Sequence, residues 1–117
     1  MNDRIEIAKK FAKTIKSDDI KLIMLFGSVA RGEDTEESDI DILIVSPNAD
    51  DLRYKINRIA VDIILEKDEV ISPHLMTEEH FNKTKNKILP LFLYKIIAFY
   101  YYFWLSIFII NIFIQFI

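Results

Sequence analysis

Two short apolar runs constrain the fold more than any other feature of this sequence. The first spans residues 20–26 and is interrupted only by Lys21, and the second spans residues 39–45. Runs of this length that are rich in Ile, Leu, Val and Phe are typical of buried strands. Because a Gly-Ser pair and an acidic loop separate them, the sequence predicts two strands joined by a tight turn and a polar loop.

The other residues up to position 87 predict further helices and strands around this pair. Apolar side chains recur at helical spacing between positions 5 and 15, and Ser28 can begin a second, short helix. We predict a helix over residues 50–58, a third strand over residues 59–65, a weaker fourth strand over residues 72–76 and a short helix capped by Thr77. The predicted fold class is therefore α/β, with a small mixed β-sheet flanked by helices.

The end of the chain differs in composition from the rest. The 117 residues suit one domain, which we place at residues 1–87 and follow with an apolar C-terminal segment, residues 88–117. Residues 96–117 carry no charged side chain and predict an apolar C-terminal helix long enough to cross a bilayer. Three hypotheses stay open for this segment: a membrane anchor, an interface with a partner, or a terminus altered by a shifted reading frame.

Composition argues against several classes of protein. The chain contains no cysteine, so disulfides and thiolate zinc sites are excluded. Its two histidines, His74 and His80, are expected to be packing or surface residues rather than ligands. A net charge of -3 gives no sign of nucleic-acid binding. The amino terminus does not resemble a signal peptide, which predicts a cytoplasmic location, with membrane association if the C-terminal segment is an anchor.

The turn after the first apolar run predicts a phosphate site. Gly27 has no Cβ, so a phosphate can approach its backbone closely, and Ser28 adds a hydroxyl group. Free amides at the start of a helix attract anions. Arg31 either contacts phosphate or pairs with the acidic loop that follows. We therefore take Gly27, Ser28 and Arg31 as candidate nucleotide-binding residues.

Three aspartates predict a cation site beside this turn. Asp39 and Asp41 are two residues apart on a strand, so that both carboxylates lie on one face of the sheet. Mg²⁺ relieves the repulsion between such carboxylates and binds substrate phosphates at the same time. Asp62 interrupts the third predicted strand; placed beside the pair, it would complete a triad that holds two Mg²⁺ ions for in-line attack at the α-phosphorus. An ion pair of Asp62 with Arg58 or Lys55 is the alternative.

These residues together resemble a known signature. Gly27-Ser28, ten further residues and Asp39-x-Asp41 are similar to the signature of the DNA polymerase β-like nucleotidyltransferase superfamily. The small size and the forms Gly-Ser-x-Ala-Arg-Gly and Ser-Asp-Ile-Asp resemble its minimal nucleotidyltransferase branch, over roughly residues 1–87. Related members of that branch are antitoxins of MntA/HepT-type pairs, which AMPylate a HEPN-domain toxin.

The resemblance implies a function and a role for each matching residue. It implies magnesium-dependent transfer of AMP from ATP to a hydroxyl group, with a tyrosine of a cognate HEPN toxin as acceptor. Gly27 and Ser28 would bind nucleotide phosphates, and Asp39 and Asp41 would bind magnesium. Asp62 matches the third carboxylate by its strand context only, as a metal ligand, a general base or both. Two alternatives stay open: an antitoxin that neutralises its partner by binding alone, and a nucleotidyltransferase for a small molecule or an RNA end.

Overall fold

Four strands form one mixed sheet in the computed structural model, which describes residues 3–84 and the backbone of residues 97–101. In chain order the elements are α1 (Asp3–Ile15), β1 (Leu22–Phe26), α2 (Gly27–Arg31), β2 (Ile40–Val45), α3 (Ala49–Lys67), β3 (Ile71–Met76), the helical residues 78–84 and β4 (Ile97–Tyr101). The predicted α/β class with a small mixed sheet flanked by helices is confirmed.

The strand order is β3-β2-β1-β4. Strand β1 pairs antiparallel with both β2 and β4, whereas β2 and β3 are parallel. Parallel neighbours need a long crossover connection, and α3 supplies it between β2 and β3. The register places Phe26 opposite Asp41, and Asp41 in turn opposite Ser72. These three side chains therefore lie on the same face of the sheet.

One face of the sheet packs against helices α1 and α3 and forms the main core. Alternate residues of β1 and β2 point into it, because side chains alternate across a strand. Helix α1 contributes its apolar stripe, and α3 contributes one side of the helix. The buried members of this cluster from these elements are Ala8, Phe11, Ala12, Ile15, Ile23, Leu25, Ile40, Ile42, Ile44, Ile56, Ala60 and Ile63.

The opposite face carries a second set of strand residues. Leu22, Met24, Leu43 and Val45 are buried there, yet they do not belong to the main cluster. The polar residues Asp41, Ser72 and His74 also lie on this face, at the end where β1 finishes and β2 and β3 begin. The sheet therefore separates the helix-covered core from the face that carries Asp41.

The strand predicted over residues 59–65 is wrong, because α3 continues without a break from Ala49 to Lys67. The apolar residues Ile56, Ile59, Ala60 and Ile63 are spaced at i, i+3, i+4 and i+7, which is the period of a helix face. Three of them are buried against the sheet and Ile59 is partly buried. The Val- and Ile-rich composition of the run concealed this helical period.

The other predicted elements are largely confirmed. The strand predicted over residues 72–76 exists as β3. The strands predicted over residues 20–26 and 39–45 exist as β1 and β2. Thr77 caps the following helix, since its Oγ1 accepts a hydrogen bond from the backbone N–H of His80 at 3.1 Å. Phe81 in that helix is fully buried.

The apolar C-terminal helix is wrong for residues 97–101, which form β4 and pair with β1. The rest of the segment from position 88 onward lies outside the described residues, so the boundary at residue 87 stays a prediction. In the part of the chain that the structure describes, none of the helices combines the length and hydropathy needed to cross a membrane.

Candidate functional site

The turn between β1 and α2 depends on a glycine at position 27. Gly27 has φ +76°, a region that L-residues with a side chain rarely adopt. A Cβ at this position would lie 2.5 Å from Oδ2 of Asp41, well inside contact distance. The missing side chain therefore brings the Asp41 carboxylate directly against the backbone at the start of α2.

Helix α2 is short and ends in a defined way. Gly32 is left-handed (φ 72°), its N–H donates to the carbonyl of Val29 at 3.2 Å, and the N–H of Glu33 donates to the carbonyl of Ser28 at 2.9 Å. This pair of bonds is the Schellman arrangement that terminates a helix. The half-buried Ser28 thus lies in the first turn of a helix with a capped C-terminal end, beside Gly27.

Asp41 also contacts a histidine of the neighbouring strand. Its Oδ1 lies 3.2 Å from Nε2 of His74, and the Ser72 hydroxyl lies 3.5 Å from the same nitrogen. The His74 ring packs edge-on against Phe26, with ring centroids 5.1 Å apart. His74 is 48% exposed and Asp41 29%, so that both are open to a ligand.

His74 was expected to be a packing or surface residue, and sequence reasoning missed its place in the site. The available signal was the weak fourth strand over residues 72–76. If that strand is placed parallel to β2, with Ser72 opposite Asp41, then residue 74 lies on the same face of the sheet as Asp41.

Asp39 follows the loop between α2 and β2. It immediately precedes β2, two residues before Asp41, and is exposed. Ser38 shapes the end of this loop: its Oγ accepts the N–H of Thr35 at 2.9 Å, and its own N–H donates to the Thr35 carbonyl at 3.0 Å. This hydrogen-bonded turn ends directly before Asp39.

Arg4 on α1 anchors the middle of the same loop. Its guanidinium bonds to the Asp34 carboxylate at 3.0 Å, to the Glu69 carboxylate at 2.8 Å, and to the backbone carbonyls of Thr35 and Glu36. The Arg4 side chain is only 11% exposed. Burial disfavours its charged form, but the hydrogen bonds and charges of Glu69 and Asp34 outweigh burial and raise the pKa of Arg4 above its ordinary value. Arg4 is thus a permanent cation that ties the loop to α1.

Arg31 pairs with the acidic loop. Its Nε donates to the Glu33 carboxylate at 3.0 Å, and its side chain is about one third exposed. This contact is one of the two possibilities that the sequence left open. A surface ion pair of this kind contributes little to stability.

The predicted convergence of three carboxylates is wrong for Asp62. Helix α3 packs its Ile56, Ala60 and Ile63 side against the helix-covered face of the sheet, whereas Asp41 lies on the other face. Asp62 is on the exposed side of α3, in a shallow depression with Tyr54, Asn57, Arg58 and Val61. The sheet and the helix itself therefore separate Asp62 from Asp41, because the residue lies on a helix and not on a third strand.

The remaining donors fit a divalent cation that a substrate helps to hold. Within the described residues, no three His, Asp or Glu side chains come together as a complete metal site. Asp41 nevertheless supplies carboxylate oxygens beside a glycine turn that allows close approach, and the exposed Asp39 lies two residues before it in sequence. Mg²⁺ is commonly bound by one or two carboxylates together with substrate phosphates and water. The residues present therefore suit a cation that arrives with a phosphate-bearing substrate.

In this mixed sheet a Gly-Ser turn joins a strand to a helix, and an aspartate of the neighbouring strand faces that turn. This arrangement is typical of nucleotidyl-transferring enzymes. The comparison with known proteins agrees: the model of the nucleotidyltransferase domain family matches residues 5–101. The chain belongs to this family and is a nucleotidyltransferase.

Several curated relatives come from Methanocaldococcus jannaschii. The chain is 45% identical over 89 residues to "Putative protein adenylyltransferase MJ0604", covering 74% of this chain and 85% of that protein. It is also 45% identical over 74 residues to "Putative protein adenylyltransferase MJ0141", covering 59% of this chain and 75% of that protein.

Two solved structures share the fold at low sequence identity. One, described as a toxin-antitoxin with AMP-PNP, has a TM-score of 0.53 at 15% identity and covers 97% of this chain and 81% of its own. The other, a mutant of the toxin-antitoxin MntA-HpeT, has a TM-score of 0.55 at 14% identity and covers 98% of this chain and 83% of its own. Identities this low support the fold alone.

Proposed function

We propose that this nucleotidyltransferase transfers AMP from ATP to a hydroxyl group of a partner protein, with a divalent cation, and thereby acts as the antitoxin of a toxin–antitoxin pair. The observation that carries the proposal is the Asp41 carboxylate, which lies against the Gly27 backbone at the start of α2. Relatives that carry the name of protein adenylyltransferases support protein as the acceptor class. The resemblance of the sequence to minimal nucleotidyltransferases favours a tyrosine of a HEPN-domain toxin.

The site residues divide the work between phosphates and cation. Gly27 allows the phosphates to approach the backbone, and the Ser28 hydroxyl and amide donate hydrogen bonds to phosphate oxygens. Arg31 is the last residue of the short helix that begins at Gly27, and its guanidinium would leave Glu33 to bind a phosphate. Asp39 and Asp41 would hold Mg²⁺, which supplies charge neutralisation for the phosphates and the leaving group. Two ions are expected, as the superfamily resemblance implies.

The reaction balances as an in-line displacement. The acceptor oxygen forms a bond to the α-phosphorus of ATP while the bond between that phosphorus and the bridging oxygen to the β-phosphate breaks. Pyrophosphate leaves with the bonding electron pair, and the hydroxyl proton passes to a carboxylate of the site or to water. The site residues would hold the acceptor oxygen in line with the α-phosphorus and the leaving bridging oxygen.

Transfer is tested by intact-mass measurement of the candidate partner after incubation with the full chain, ATP and Mg²⁺. A gain of one AMP on the partner is expected, and it should fall at least a hundredfold in rate in Asp41→Asn, because catalytic carboxylates at a metal contribute at least two orders of magnitude. Asp62→Asn is the matched control: it removes an exposed carboxylate from α3 and should transfer AMP at the wild-type rate.

The same experiment separates the alternatives that the sequence left open. A partner that binds the chain tightly yet gains no mass would overturn transfer and favour neutralisation by binding. AMP that is added to RNA or to a small molecule, and not to protein, would overturn the acceptor class. Equal losses in Asp41→Asn and Asp62→Asn would contradict the placement of the site.

A further inference from the structure

We propose that His74 is a ligand of the divalent cation at Asp41 and that it shifts the metal preference of the site from Mg²⁺ toward Mn²⁺. The proposal rests on the cation site proposed above and adds a residue to it. The sequence assigned His74 no such role, and the structure brings its Nε2 to 3.2 Å from Oδ1 of Asp41.

The distance between the two atoms fits two neighbouring ligands of one ion. In octahedral coordination with metal–ligand distances of about 2.1 Å, adjacent ligand atoms are about 3.0 Å apart. The Asp41–His74 separation is close to this value before any cation is present. Little movement of either side chain is therefore needed for both to bind the same ion.

The surroundings of His74 hold its ring in place for this role. Phe26 of β1 packs edge-on against the imidazole at 5.1 Å between centroids, with the ring planes at 62°. On the strand side, the Ser72 hydroxyl lies 3.5 Å from Nε2. Phe26 thus restricts the ring, whereas the long Ser72 contact is to the ligating nitrogen itself and would be replaced by the cation.

The chemistry of the donor set predicts a change in metal preference. Carboxylate and water oxygens suit Mg²⁺, whereas imidazole nitrogen favours transition-metal ions. Mn²⁺ accepts both types of donor. A site with Asp41 and His74 should therefore gain more from Mn²⁺ than a site with carboxylates alone, while substrate phosphates and water complete the coordination.

Binding of Mn²⁺ to the full chain, followed by electron paramagnetic resonance, tests the proposal without reference to activity. We expect His74→Ala to weaken Mn²⁺ binding at least tenfold and Mg²⁺ binding, measured by competition, less than twofold. Asp41→Asn should weaken both. His80→Ala is the matched control, since it removes the only other histidine, which is exposed on the helical residues 78–84, and should leave both affinities unchanged.

Direct ligation has its own spectroscopic signature. Pulsed paramagnetic resonance of Mn²⁺-loaded protein should show nitrogen modulation that changes when histidine is labelled with ¹⁵N, that persists in His80→Ala and that disappears in His74→Ala. Thermal unfolding of each variant by circular dichroism establishes that it is folded, which the half-exposed position of His74 favours.

Three results would overturn the proposal. Mn²⁺ that binds the wild type without histidine nitrogen modulation would exclude ligation by His74 and leave the Asp39/Asp41 site standing. An Mn²⁺ affinity that is unchanged in His74→Ala would show that the imidazole contributes nothing to the cation site. If the wild type binds neither Mn²⁺ nor Mg²⁺, with or without ATP, then both the proposed cation-dependent function and the role of His74 as a metal ligand are wrong.

Discussion

Asp41 and Asp62 both interrupt runs of apolar residues, yet their surroundings in the fold are opposite. Asp41 lies in the central strand β2, where its carboxylate contacts the Gly27 turn and His74. Asp62 lies on the solvent side of α3, among residues of a shallow surface depression. An aspartate in an apolar run is therefore informative only when the element that carries it is known.

Strand β2, which carries Asp41, and helix α3, which carries Asp62, differ in how many neighbouring elements fix their position. Strand β2 is paired on both edges, and a one-residue shift of its register would exchange Asp41 with a core residue. Helix α3 is constrained on one side only, so residues on its other side are free to vary. We therefore expect substitutions in the region constrained by several neighbours to have larger effects than substitutions in the region constrained on a single face.

The largest effect is expected from Gly27→Ala. The new Cβ would meet Oδ2 of Asp41 at 2.5 Å while φ stays at +76°. Overpacking together with a left-handed alanine should cost about 3 kcal/mol of unfolding free energy. AMP transfer should fall at least a hundredfold, since the carboxylate must move. Urea unfolding and the transfer rate measure the two effects.

Gly32→Ala is the matched control for this substitution. Gly32 has a similar φ of +72°, but in the described part of the chain no atom beyond its chain neighbours lies within 4 Å of the position of its Cβ. We expect a loss of about 1–2 kcal/mol from backbone strain alone, with transfer largely retained. If the two glycine variants lost stability and activity equally, the close approach of Asp41 would have no special importance.

A smaller loss of stability is expected from Arg4→Met. The substitution keeps much of the apolar stem but leaves the mostly buried Asp34 carboxylate and two loop carbonyls without their guanidinium donor. We expect a loss of about 2 kcal/mol, because a partly buried charge network loses its centre. Transfer should also slow, since the loop that Arg4 anchors leads to Asp39.

Arg53→Met provides the comparison on the weakly constrained side. Arg53 forms an exposed pair with Asp50 at 3.3 Å within α3. Surface pairs of this kind contribute little, so the change in stability should stay within about 0.5 kcal/mol. A loss as large as that of Arg4→Met would refute the distinction between the anchored loop and the free helix face.

The smallest effect, and the one whose sign matters most, is expected from Asp62→Ala. Alanine has a higher helix propensity than aspartate, so this exposed position should gain about 0.5 kcal/mol of unfolding free energy. AMP transfer should remain at the wild-type rate. A loss of stability or of transfer would mean that the carboxylate has a partner, as the strand interpretation required.

Much of the site could be predicted because its signals are local. The strand-to-helix turn at Gly27-Ser28 and the alternation of side chains from Asp41 onward along β2 both follow from conformational preferences of a few adjacent residues. The role of His74 could not be predicted in this way. Its contact with Asp41 joins residues 33 positions apart in sequence and depends on the parallel pairing of β2 with β3.

The sequence by itself determined the two central strands and the turn between them, because the conformational preferences of adjacent residues specify them, and it carries the family resemblance. The helix over residues 59–65 follows the period of its own apolar residues, although their composition favoured a strand. Only the tertiary structure decided that β4 extends the sheet and that His74, and not Asp62, lies beside Asp41. Burial against a sheet face and pairing between distant strands decide such features, and these energies arise only when remote parts of the chain come into contact.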